Sequence, residues 1–136
     1  MDFTLLSRWQ PQLHALLRII TGLLFLEHGT AKLLGFPVFP EGMPNPLPTM
    51  ILASAIIELV CGFLVTIGLF TRLAAFIAAG EMAAAYFIGH FPKGFWPIVN
   101  MGEPAILYCF IFLFLAAAGA GAWSVDGMRT RNAPIR

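Results

Sequence analysis

At 136 residues and 14.9 kDa the chain is the size of one domain, yet 59% of it is apolar and only 11% carries Asp, Glu, Lys or Arg, against about 25% in an ordinary globular domain. So short a chain has too much surface to cover in water with so few charges, which argues against a soluble enzyme and against a disordered chain. A formal charge of +1 supplies no basic footprint for nucleic acid, so no nucleic-acid partner is expected and the lipid bilayer is the expected solvent.

The first apolar run, Leu13 to Gly35, follows Pro11 and closes at Gly35-Phe36-Pro37, which is helix punctuation at both ends. It carries Arg18, Glu27, His28 and Lys32. Glu27-His28 interrupts what would otherwise read as the core of a signal peptide, and no small-residue cleavage site follows, so the segment is expected in the mature protein. A linker with Pro37, Pro40, Pro44, Pro46 and Pro48 prevents fusion with the second run, because proline lacks the amide proton a continuous helix needs.

The second run, Thr49 to Phe70, has Glu58 as its only charge. Thr71-Arg72 alone separates it from the third, Leu73 to Ile88, so a tight hairpin is expected with Thr71 as N-cap. Glu81 lies near the middle of the third run, and Tyr86 and His90 near its end. After the connection Phe91 to Gly102, the fourth run extends from Pro104 to Ala122 with no charge within it.

These lengths predict an all-α membrane protein, a single antiparallel four-helix transmembrane bundle with helices over 13–35, 49–70, 72–90 and 103–122. The loops 36–48 and 91–102 then share the outer side, and the tail 123–136 lies in the cytoplasm. Arg8, Arg18, Arg72, Arg129, Arg131 and Arg136 collect on the side of the termini, against Lys32 and Lys93 opposite. The positive-inside rule therefore places both termini in the cytoplasm, with Arg18 and Arg72 as topology determinants. Gly22, Gly29 and the alanines of the third and fourth runs favour close helix packing.

Charged groups at membrane depth cost at least about 2.5 kcal/mol each, so Glu27, Glu58, Glu81 and Glu103 point to a site. Glu58 and Glu81 fall about 15 Å below the outer surface. Glu27, His28 and Lys32 lie in the outer half of the first helix, and His90, Asn100 and Glu103 at the rim. The expected site is an outward-facing vestibule floored by Glu58 and Glu81, with one stripe presenting Glu27, His28 and Lys32 inward and Tyr86 sharing a face with His90. An apolar slot is expected among Phe25, Phe63, Tyr86 and Phe87. Nine positions separate Glu81 from His90, so an ideal helix puts them on opposite faces unless it bends. The structural alternative is mutual neutralisation, with Lys32 paired to Glu27 or Glu103.

Neither Glu58 nor Glu81 begins a Glu-x-x-His pair, so no metal is expected, and His28 with His90 is too little for a heme. Cys61 and Cys109 show no CxxC spacing and read as small packing residues.

Leu23-Leu24-Phe25-Leu26-Glu27-His28-Gly29-Thr30-Ala31-Lys32-Leu33-Leu34-Gly35-Phe36, then Gly62-Phe63-Leu64-Val65-Thr66-Ile67-Gly68-Leu69-Phe70-Thr71-Arg72 and Trp123-Ser124-Val125-Asp126 resemble the DoxX family of small bacterial inner-membrane proteins. The resemblance implies four membrane helices. It also implies an association with redox complexes, the family being named for a subunit of a thiosulfate:quinone oxidoreductase. On both grounds the expected function is a redox-associated subunit that binds a quinone-like or other small ligand, and, if enzymatic, one part of a quinone-linked oxidoreductase with a redox-enzyme partner. The alternatives are a proton-coupled small-solute carrier and a noncatalytic membrane anchor. Glycine-rich outer faces leave room for a homo-oligomer.

Overall fold

The computed structural model describes residues 3–132, and Arg136 lies outside them. Among the described residues the protein is entirely helical, with α1 (Thr4–Ser7), α2 (Gln10–Leu34), α3 (Thr49–Ile67), α4 (Thr71–Ala85), α5 (Pro97–Asn100), α6 (Glu103–Ala118) and α7 (Val125–Arg131). Between α4 and α5 the chain continues through a π turn, Tyr86–His90, and a 3-10 turn, Phe91–Lys93. The four long helices α2, α3, α4 and α6 pack in that order around a ring, and α2 touches α6 only lightly.

Glycine sets the register of the first pair. A Cβ on Gly22 would stand 2.7 Å from the Thr66 amide nitrogen, one on Gly29 2.6 Å from that of Leu59, and one on Gly62 2.6 Å from that of Leu26. As residue numbers rise along α2, those of their neighbours on α3 fall, so the helices are antiparallel and their backbones nearly touch. On α4 the fully or nearly buried residues Ala74, Ala75, Ala78 and Ala79 perform the same service, since small side chains let helices approach.

α2 and α3 each end on a left-handed glycine, Gly35 at φ 65° and Gly68 at φ 72°. The α3–α4 turn differs from expectation. Thr71 is the first residue of α4, not its cap; the cap position is Phe70, and the cap itself comes from α7, where Asp126 accepts the amides of Phe70 and Thr71 at 3.0 Å each. The helix α7 within the expected tail is itself capped by Ser124, whose hydroxyl accepts the Gly127 amide at 3.0 Å.

α6 ends at Ala118, four residues before the apolar run does. Gly119 and Gly121, at φ 83° and 69°, turn the chain so that the carbonyls of Ala120, Ala122 and Trp123 face Arg18. That arginine, 0% exposed, donates to all three and to the carbonyls of Val65 and Thr66 at the end of α3. Arg18 is thus a buried clamp that ties carbonyls at the end of α3 to those of the segment after α6, a role its position in the charge pattern did not reveal. Arg72 likewise donates to the carbonyls of Ala116 and Ala117.

α3 and the continuous helical stretch Thr71–Lys93 are long and apolar enough to cross a membrane, and α6 is a shorter apolar helix. Only 28% of the apolar window in each of the two longer stretches is buried inside the molecule, so neither is the core helix of a water-soluble fold. Leu24 and Ile20 on α2, Val60 and Phe63 on α3, Phe76 on α4 and Phe110 on α6 all stand outward.

Candidate functional site

A cavity of about 320 Å³ opens at the end of the ring away from Arg18. α2 supplies Phe25, His28 and Lys32; α3 supplies Ser54 and Glu58; α4 and the π turn supply Glu81, Met82, Ala85 and His90; Met101, Pro104, Ala105 and Tyr108 complete the wall. Four of these positions, Glu58, Glu81, His28 and Lys32, come from three different helices and line the same cavity.

Lys32 Nζ donates to both carboxylate oxygens of Glu58 at 2.8 Å. The pairing differs from the expected partners Glu27 and Glu103, and the cause is geometric. In an α-helix each Cα–Cβ bond leans toward the N-terminus. In antiparallel α2 and α3, Lys32 therefore leans down toward His28 and Glu58 leans up toward Ser54, so the two side chains converge. The pair is well shielded, with 15% of the Lys32 side chain and 3% of the Glu58 side chain exposed.

Glu81 is held at one oxygen only. Ser54 Oγ donates to its Oε1 at 2.6 Å, while Oε2 is buried with no protein partner. A carboxylate oxygen removed from water without a hydrogen bond is costly, and this one belongs to a cavity wall.

The two histidines reach the cavity differently. His28 is exposed at its mouth, with Nδ1 2.7 Å from the Leu24 carbonyl. His90 has Nδ1 2.9 Å from the Asn100 carbonyl. A carbonyl can only accept, so each Nδ1 carries the proton, and in the neutral ring Nε2 is left as an acceptor. The obstacle that an ideal helix puts Glu81 and His90 on opposite faces is removed by the π turn. Its wider turns rotate each residue less than the α-helical 100°, bringing His90 round to the side of Glu81.

Other expected site residues are elsewhere. Glu27 lies on an exposed face beside Leu23, Leu26, Thr30, Phe36 and Pro37, about 100° round the helix from His28, too far for one stripe. Glu103 lines a separate groove between α2 and α6. Asn100, 0% exposed, is spent on the connection: its side chain donates to the Gly94 carbonyl and the Tyr86 hydroxyl and accepts the Gly102 amide. Tyr86 therefore props the loop. Phe63 and Phe87 face outward at 53% and 63% exposure, so of the expected slot only Phe25 lines the cavity.

Ser54 and Tyr108 are the site residues that the charge pattern missed. Ser54 lies about one turn outward of Glu58 on its own helix, a spacing that could have marked it. Tyr108 sits in a run of aromatics, where nothing distinguishes it from packing. Its ring meets Phe25, His28 and Phe112 at centroid distances of 5.7, 6.0 and 5.9 Å.

Among the described residues no group of three or more His, Cys, Asp or Glu is placed to hold a metal ion. Cys61 is buried and Cys109 half-buried, both free thiols.

The family model described as DoxX matches residues 13–91, a stretch that includes His28, Lys32, Ser54, Glu58, Glu81 and His90. The chain belongs to the DoxX family. An uncharacterized protein of Haemophilus influenzae (strain ATCC 51907 / DSM 11121 / KW20 / Rd) is 45% identical over 125 residues, covering 89% of this chain and 93% of that protein. No solved structure matches. With its apolar outward faces, this DoxX chain is a membrane protein. The matched stretch ends before α6, so Tyr108 and the Asp126 cap lie outside it.

Proposed function

We propose that this DoxX protein crosses the bacterial inner membrane four times, through α2, α3, the stretch from α4 into the π turn, and α6, with both termini in the cytoplasm and the cavity toward the outer side. Arg18, Arg72, Arg129 and Arg131 then gather at the cytoplasmic end, as the positive-inside rule favours.

The cavity binds the head of a quinone or quinol, and the protein acts as a redox-associated subunit. The observation that carries this reading is the half-satisfied Glu81 in a cavity shared with two histidines whose Nδ1 protons are committed to backbone carbonyls. These are proton acceptors awaiting a donor, and a quinol hydroxyl is such a donor. Phe25, Met82 and Tyr108 supply the apolar wall for a flat ring, and the volume falls within the roughly 300–1,000 Å³ of small-molecule sites. On oxidation a quinol loses two electrons and two protons. Glu81 and a histidine receive the protons, and the electrons pass to a partner redox protein.

A solute carrier would need the same cavity to open toward the cytoplasm. That path is filled by Phe25, Phe112 and Leu115, each at most 1% exposed, which favours a binding subunit over a carrier. The test is equilibrium binding of a benzoquinone and its quinol to the purified protein in nanodiscs. Binding that weakens in Glu81→Gln supports the reading. Absence of binding, together with unchanged quinol oxidation in membranes lacking the protein, overturns it.

A further inference from the structure

The four seams of the ring are not equally closed. Gly22, Gly29 and Gly62 bring α2 and α3 into backbone contact, and the alanines of α4 lie in the core shared with Phe112 and Leu115 of α6. The seam between α2 and α6 is the loose one. At the Arg18 end it is pinned by hydrogen bonds: Arg18 to the segment after α6, and His14 Nε2 to the Gly119 carbonyl at 3.0 Å. At the cavity end aromatic rings cross it, Phe25 against Phe112 at 4.7 Å and Phe25 and His28 against Tyr108. No hydrogen bond joins the two helices there among the described residues.

On the outer surface of that loose end lies a groove of about 290 Å³ lined by Thr21, Leu24, Glu103, Pro104, Leu107, Tyr108 and Ile111. Its surface is mostly apolar and it faces where lipid would be. Pro104 and Tyr108 line this groove and also the cavity, so the ring and the proline stand between the two spaces. Tyr108 is half-buried, and its hydroxyl makes no hydrogen bond to the described residues, so nothing polar holds the ring in place.

We infer that Tyr108 gates a lateral portal through which an amphiphile enters from the bilayer, its ring head in the cavity and its hydrocarbon chain in the groove between α2 and α6. The inference rests on the quinone reading above and sharpens it: the ligand is a lipid-borne, chain-bearing quinone, not a water-soluble one. The occupant follows from continuity, since a head seated beside Tyr108 lies against the same ring and proline that line the groove, and a chain passing that ring runs along Leu24, Leu107 and Ile111. The groove's one charge, Glu103, sits at its outer end, in the first turn of α6, where a carboxylate can reach the aqueous interface.

The experiment compares a benzoquinone bearing a decyl chain with the same ring lacking it, both titrated into protein-loaded nanodiscs and corrected for partition into protein-free discs. The chain is expected to tighten binding about ten-fold, well below the full burial value of ten methylenes because lipid solvates the chain too. Leu107→Trp, which fills the groove without touching the cavity, should abolish that advantage while the chainless ring binds as before; Phe110→Trp, on an outward face lining neither space, should leave both probes unchanged. Equal affinity of the two probes, or a chain advantage that survives Leu107→Trp, overturns the portal while leaving the cavity reading intact. Failure of both probes to bind the unmodified protein overturns both.

Discussion

Lys32 and Glu58 face each other across α2 and α3 with the ammonium 2.8 Å from each carboxylate oxygen, nearly shut off from solvent. Removing one partner strands a charge, so Lys32→Met or Glu58→Leu alone should destabilise the protein by about 3 kcal/mol. The double variant should recover most of it. Reversible unfolding in mixed micelles checks the cycle; additive losses would show that the two side chains do not act as a pair.

Arg18 should be less replaceable than any surface arginine. Arg18→Lys keeps the charge but cannot reach five carbonyls with one ammonium, so a loss of about 2 kcal/mol or more is expected. The same change at Arg131, exposed on α7, should cost nothing measurable. Thermal unfolding of the two variants side by side decides it.

The glycines of α2 and α3 predict a contrast. Gly29→Ala would place a methyl 2.6 Å from the Leu59 nitrogen and force the helices apart, at about 1–3 kcal/mol. Gly80→Ala has nothing within 4 Å and should stabilise α4 by about 0.5–1 kcal/mol through helix propensity. Opposite signs in unfolding free energy are the expected outcome.

The docking of α7 should depend on pH. Burial pushes the Asp126 carboxyl up, but the Thr71 and Phe70 amides and the nearby Arg129 outweigh it, so its pKa lies below the ordinary value. A carboxylate with a depressed folded pKa contributes stability that is present above the unfolded pKa of about 4 and lost as pH falls through the folded one. Because Asp126 is partly open to solvent the effect is small. Amide exchange in 125–131 should be slow at neutral pH and accelerate below about pH 4, and Asp126→Asn should show the fast rate at neutral pH, with a cost of about 1 kcal/mol.

The π turn offers a test of site assembly. His90→Phe keeps a ring where the π turn places it in the cavity wall but removes Nε2 as an acceptor. Benzoquinone affinity should fall about ten-fold, the worth of one lost hydrogen bond, while the thermal midpoint changes little. Unchanged affinity would remove His90 from the site.

The sequence determined a good deal unaided. Apolar runs too weakly charged for water gave four long helices, because a helix satisfies its own backbone hydrogen bonds, and four glutamates stood out because charge is rare in such runs. Periodicity could put Lys32 on a face but not choose its partner: that depended on the register set by Gly22, Gly29 and Gly62 and on the opposed lean of side chains in antiparallel helices. It could not bring His90 to Glu81 either, since the decisive π turn leaves no mark in a pattern of 3.6. Arg18 looked like a topology signal because the carbonyls it satisfies come from residues 65–66 and 120–123, distant in sequence and joined only by the fold. Tyr108 was one aromatic among many until the tertiary structure set it between a polar cavity and an apolar groove.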